Sequence, residues 1–207
     1  MPPWRTVYKQ FEAWQEDGTW NRLLDGLRRA ARQPERAAEP TAGAIDTQSV
    51  RADGGCHGYD AGKPVAGRKR HVAVDMEGLP LAVQVQSAAV QDPVGAGSVL
   101  AEAKIRAPDL QLVWGDGRYQ GSLVAQAAAA AGLRVEVVSK PPGTKGFLVL
   151  PRRWVIEHTF AWLGKYRRVA GRDYKTNSRN SGAWIKVCRS NLMHRQLARR
   201  TISKPDD

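Results

Sequence analysis

The stretch "RKRHVAVDMEGLPLAVQVQSA", residues 68–88, limits the fold of this chain more than any other. Leu79, Leu81, Val83 and Val85 alternate with Pro80, Ala82, Gln84 and Gln86, and Glu77-Gly78 separates this run from "RKRHVAV". A period of two belongs to strands, and a glycine turn between two such runs makes them a hairpin. The shorter run "AIDTQSV" (44–50) precedes it, so three antiparallel strands are expected in succession. The pattern then changes. "DPVGAGSVLAEAKIRA" reads as a helix with Asp92 as N-cap and Pro93 at its first position. "LQLVWGD" reads as a buried strand, "GSLVAQAAAAAGL" as an alanine-rich helix closed by Gly132, and "RVEVVSK" as another strand. "KPPGTKGFLVLP" is a loop, and "PRRWVIEHTFAWLGKYRR" from Pro151 is the last helix.

Three antiparallel strands followed by alternating helices and parallel strands predict an α/β fold: a mixed five-stranded sheet with helices on both faces, in the element order of ribonuclease-H-like domains. In such a sheet the first and fourth strands are parallel neighbours. Ahead of it, residues 4–32 read as two helices, with Val7, Phe11 and Trp14 on one face of the first and Thr19 capping the second. The expected organisation is a helix-turn-helix-like segment over 1–32, a linker over 33–43, the α/β domain over 44–200 and a tail over 201–207. No repeat is present. Nothing near the N-terminus reads as an export signal, no run is long enough to span a membrane, and Cys56 and Cys188 do not form a disulfide framework. A cytoplasmic, nucleoid-associated protein is expected.

The net charge of +12 is informative once located. Residues 1–139 hold 16 Lys+Arg and 16 Asp+Glu, whereas residues 140–207 hold 16 Lys+Arg and 4 Asp+Glu. A basic field of that kind favours a polyanion, and phosphate contact is driven by counterion release. Trp154, Phe160, Trp162, Tyr166, Tyr174 and Trp184 run through it, which a solvated tail rarely carries. Trp162 is expected in the core, with a base-stacking wedge as the alternative.

Against this basic background three acids stand out. Asp46 lies in the first strand, with Ile45 and Thr47 facing the other way. Asp116 ends the fourth strand between Gly115 and Gly117, and Glu157 sits in the last helix. Each alone has an ordinary alternative: a turn former, an N-cap, a partner for Arg153 one turn earlier. Together, acids from three elements that meet at one spot repel one another unless cations sit among them, and hard divalent ions do so. Two Mg²⁺ ions there, with Mn²⁺ able to substitute, would polarise a phosphodiester and activate an attacking water or 3′-hydroxyl. The rest of the chain offers less. "GYDAGKP" lacks the spacing and the Ser/Thr of a P-loop, and "GRKRH" (67–71), with Lys69 and Arg70, is either a DNA contact or an exposed hairpin entry. Asp75, Glu77 and Asp92 have turn or cap explanations, and Cys56, His57, Cys188 and His194 lack zinc-ligand spacing.

"AIDTQSVRADGGCHGYDAGKPVAGRKRHVAVDMEGLPLAVQV", "WGDGRYQG" and "KGFLVLPRRWVIEHTFAWLGKYRRV" resemble bacterial insertion-sequence transposases of the DDE class, of the insertion-sequence family 5 type, from about Pro3 to Arg195. The resemblance implies that Asp46, Asp116 and Glu157 are catalytic metal ligands. The wider group carries on its last helix a signature of Tyr, two residues, Arg, three residues, Glu, six residues, Lys. Arg153 and Glu157 fit it, whereas the Tyr position is Leu150 and the Lys position is Gly164, with Lys165 next to it. Arg153, Lys165, Arg167 and Arg168 would then contact the phosphates of double-stranded DNA, both inverted-repeat ends and target, in a homodimer or higher assembly that brings two ends together. The family's end-recognition region begins further upstream than "MPPWRTVYKQF", so the N-terminal segment is expected to be truncated. Two rival readings remain: a metal-dependent nuclease of the same fold, and a DNA-binding remnant without catalysis.

Overall fold

The computed structural model describes residues 1–33, 35, 39–139, 141, 143 and 150–202. Its elements in chain order are α1 (Trp4–Glu16), α2 (Thr19–Ala31), β1 (Ala42–Arg51), β2 (Gly58–Asp60), β3 (Val65–Asp75), β4 (Pro80–Ser87), α3 (Asp92–Arg106), β5 (Leu112–Gly115), α4 (Ser122–Ala130), β6 (Arg134–Val137), α5 (Trp154–Leu163) and α6 (Ser178–Ile202). Most of the predicted loop over 140–151, and tail residues 203–207, lie outside the described residues.

The long strands lie in the order β4-β3-β1-β5-β6, with β1, β3 and β4 antiparallel and β1, β5 and β6 parallel; β2 is a short addition beside the start of β3. This is the expected α/β sheet, consistent with the ribonuclease-H-like fold. Side chains alternate across it. Ile45 and Ala73 pack with α3 and α4 on one face, while Ala44, Val72 and Val74 pack with α5 and α6 on the other. Asp46 therefore shares the face of Ala44, the face that α5 covers, as strand parity requires.

The structure corrects several expectations. Leu81 and Val83 do not share a face. Ala73 pairs with Ala82 and Val74 with Pro80, so Leu81 is an extra residue that reverses the parity, leaving Leu81 against α3 and Val83 against α6. β1 starts at Ala42, inside the predicted linker. Asp92 and Thr19 are the first residues of their helices, one position inside the caps. The last helix is shorter than expected, and α6, which follows it, was not predicted at all. Its buried face includes Asn180, Ser181, Lys186, Arg189 and Ser190, so no apolar period announces it. Finally, α2 packs onto α6 and β4 through Leu24, Ala31, Leu79 and Met193. No helix among the described residues is long and apolar enough to cross a membrane.

Candidate active site

Asp46 and Asp116 are brought together by strand pairing. Ala42, Gly43 and Ala44 of β1 face Leu112, Val113 and Trp114 of β5 in parallel register, and two further steps along both strands lead to Asp46 and Asp116. Asp116 follows β5 and accepts a 2.9 Å hydrogen bond from the Arg118 backbone N–H, which starts a 3-10 turn. The turn folds Tyr119 back under the strand end. A side chain at Gly115 would come within 2.8 Å of the Tyr119 ring, so only glycine allows this packing. Asp46 accepts a 2.7 Å bond from the Thr47 N–H and is 17% exposed. Burial first, and the neighbouring Asp116 carboxylate second, push its pKa up to about 6 against the pull of the Thr47 N–H, Arg153 and Lys63.

Glu157 reaches the same place from α5. Arg153 Nη2 lies 3.8 Å from Asp46 Oδ2 and 3.6 Å from Glu157 Oε1, so the two carboxylates share one guanidinium nitrogen. Arg153 is thus both the helical partner of Glu157 and the link from α5 to β1. Arg152, just before it, has a left-handed backbone (φ 77°) and lies 4.9 Å from the Trp114 ring centroid, over the strand that carries Asp116. Asp46, within β1, and Asp116, just after β5, are neighbours, and Glu157 of α5 meets Asp46 through Arg153. Among the described residues, no group of three His, Cys, Asp or Glu side chains stands at metal-ligand spacing, and Arg153 contacts both Asp46 and Glu157.

The basic residues divide into two sets. Lys165, Arg167 and Arg168 are exposed beyond the end of α5. Lys165 Nζ sits 4.0 Å from the centroid of the Trp162 ring, which is half-buried rather than in the core and whose Nε1 pairs with His158 at 2.7 Å. Lys69 and Arg70 belong to the other set, and there the structure corrects the sequence reading. Both are buried, so neither presents a charge to DNA. Lys69 Nζ lies 3.0 Å from Asp92 and 3.5 Å from Asp60, and Arg70 donates to Gln48 at 3.1 Å. A basic run entering a central strand places its side chains inside, where they need acidic or polar partners.

That requirement exposes a group which sequence reasoning missed. Asp92, buried at the start of α3, pairs with Lys69 of β3 on one oxygen and with Arg118 at 3.2 Å on the other. Burial works to raise its pKa, but Lys69 and Arg118 together hold it below the ordinary carboxylate range. The bridge runs behind Asp46 and ties the Asp116 turn to the sheet. Proximity of "DP" to a helix start signalled a cap, and nothing local signalled an ion-pair hub. Tyr119, 2% exposed, has its hydroxyl pKa raised well above normal by burial and by Asp46, Asp92 and Asp116.

Asp46 of β1 and Asp116 after β5 thus stand as neighbours, with Glu157 of α5 joined to Asp46 through Arg153. The transposase DDE domain family matches residues 37–192, more than half of the chain. The chain belongs to that family. No curated protein matches it. Membership carries transposition as the general function of this DDE transposase-family protein and DNA as its substrate.

Proposed function

We propose that the protein cuts the inverted-repeat ends of an insertion sequence of the family 5 type and joins the freed 3′ ends to target DNA, with Asp46, Asp116 and Glu157 as the catalytic carboxylates. The observation that supports this reading is the approach of Asp46 and Glu157 to one nitrogen of Arg153, with Asp116 beside Asp46, whose pKa burial and Asp116 push up to about 6. A carboxylate in that state has an unmet demand for positive charge. The donor set is carboxylate oxygen only, which suits Mg²⁺ or Mn²⁺ and not a softer metal. Asp46, Asp116 and Glu157 would hold two such ions, which would supply Lewis-acid polarisation of the phosphodiester and a more acidic attacking hydroxyl.

The chain's own residues do the rest. Glu157 is 43% exposed and can change rotamer, whereas Asp46 is pinned by the Thr47 N–H. Arg153 neutralises the acids before DNA arrives and is placed to take a phosphate when it does. Lys165, Arg167 and Arg168 extend the cationic surface past α5, where they contact backbone without reading sequence. Residues 1–32 would recognise the ends, and two ends require a dimer or larger assembly.

The test is Glu157→Ala incubated with labelled ends and Mg²⁺. Duplex binding is expected to persist within a few-fold while cleavage and joining are lost. Wild-type cleavage in the variant would refute the assignment. Cleavage without joining by the unaltered protein would favour a nuclease, and binding without cleavage an inert remnant.

A further inference from the structure

At the far end of α5 a groove of about 1020 Å³ opens between α1, the segment after α5 and α6, lined among others by Trp4, Tyr8, Arg167, Arg168, Tyr174 and Trp184. No carboxylate is among its lining residues. Trp4 is 72% exposed and Tyr174 78% exposed, unusual for rings of this size. The position of Tyr174 is built. Its neighbour Asp173 is fully buried, paired with Arg68 at 3.1 Å and bonded by Ser181, and Arg68 also donates to the Thr176 carbonyl at 2.9 Å, so the segment is held from inside with the ring left out. Arg168 lies 5.3 Å from the Trp184 ring centroid, a cation already stacked on an aromatic face.

We propose that this groove takes an unpaired nucleic-acid strand, with bases stacked on Trp4 and Tyr174 and phosphates against Arg167 and Arg168. Flat exposed rings beside guanidinium groups suit bases whose faces are free. A duplex hides those faces and offers only edges and phosphates, which would leave the rings unused. A second copy docking the same face across a two-fold axis would set these cations against their own images. A bilayer is flat, and the rings line a concavity. Glu157 lies six residues before the end of α5, roughly 9 Å along the helix axis, and the groove opens beyond that end, so a strand released at the acids could be held here while the other is processed. The proposal rests on the reading that those acids cut DNA.

The experiment uses the full chain carrying Glu157→Gln, so that nothing is cleaved, and follows the fluorescence anisotropy of a labelled oligothymidine and of a duplex of equal length. Tyr174→Ala and Trp4→Ala are each expected to weaken single-strand binding by about five- to a hundredfold, and Tyr174→Ala, outside the segment that would recognise the ends, to leave duplex binding within about twofold. Both side chains are exposed, so unchanged melting temperatures verify folding. Unchanged single-strand affinity in both variants overturns the proposal. So does an equal loss of duplex binding by Tyr174→Ala, a loss by that variant confined to vesicles of anionic lipid, or a dimer that dissociates with it. Cleavage by the unaltered protein is scored separately, so failure of the catalytic reading leaves this result legible.

Discussion

Asp46, a catalytic carboxylate in the proposed function, is held where its charge works against stability. Its carboxyl titrates near 6 in the folded chain, raised mainly by burial and then by Asp116, whereas an aspartate in an unfolded chain titrates at about 3.9. Below the lower value both states hold the proton and the residue contributes nothing. As pH rises from about 4 to 6 the unfolded chain gives up its proton first, so stability falls. Above 6 the folded state carries the strained charge, at a cost of about 2–3 kcal/mol. Asp46→Asn without metal is therefore expected to melt above the unaltered protein at pH 8, with the gap closing near pH 4, while cleavage is lost. Melting curves in a chelating buffer check the sign. Equal or lower stability of the variant at pH 8 would mean that the charge is not strained. The places of the three acids in the elements were legible in sequence, Asp46 within the first strand, Asp116 at the end of β5 and Glu157 near the start of α5, because the periodicities mark those elements. Their common link, Arg153, was readable only as a helical neighbour of Glu157, since contact with Asp46 depends on how α5 crosses the sheet.

At the scale of elements, the sheet order and the two parallel crossovers were visible in sequence because apolar period and turn residues agree there. Where polar side chains fill the interior, the signal failed. The run "GRKRH" looks like surface, yet Arg68, Lys69, Arg70 and His71 are all buried, and α6 escaped notice because lysine, arginine, serine and asparagine lie on its inner face. Arg68 and Lys69 hold elements together by ion pairs, and Lys186 and Arg189 of α6 by hydrogen bonds to Gln15 and the Gly78 carbonyl, contacts that no local pattern encodes. The Lys69-Asp92-Arg118 bridge is the case nearest the acids, joining β3, α3 and the turn after β5. Asp92→Asn should lower stability by about 2–3 kcal/mol, less than the roughly 3–5 kcal/mol of a fully orphaned buried charge, because Lys69 keeps Asp60. Cleavage is expected to fall as the Asp116 turn loosens, with duplex affinity unchanged. A urea midpoint identical to that of the unaltered protein would show that the bridge holds nothing.

Across the whole molecule, the N-terminal helices are built into the body to a degree that the proline-containing segment after them conceals. Leu24 is fully buried against Leu79 and Met193. Arg28, also fully buried, reaches Glu39 at 3.0 Å and the Arg106 carbonyl at 2.8 Å, and Arg106 returns a 2.9 Å contact to Asp25. From the other side Asn180 of α6 donates to Tyr8 at 2.8 Å and Glu12 at 3.0 Å, while Phe11 packs against Trp184. A tethered module would unfold by itself; helices sharing a core with the sheet must unfold with it. Leu24→Ala removes a side chain at the centre of that shared core and should cost about 2–5 kcal/mol. Amide exchange then decides between the two cases. If the helices are part of one cooperative body, the substitution lowers protection in β1 and β4 as much as in α2. If the loss is confined to α1 and α2, they form a separate unit and the buried pairs through Arg28 and Arg106 do not couple it to the sheet. The packing of α2 on α6 and β4 favours the first result, so that DNA held by the N-terminal helices would be rigidly positioned relative to the acids about which the proposed chemistry turns.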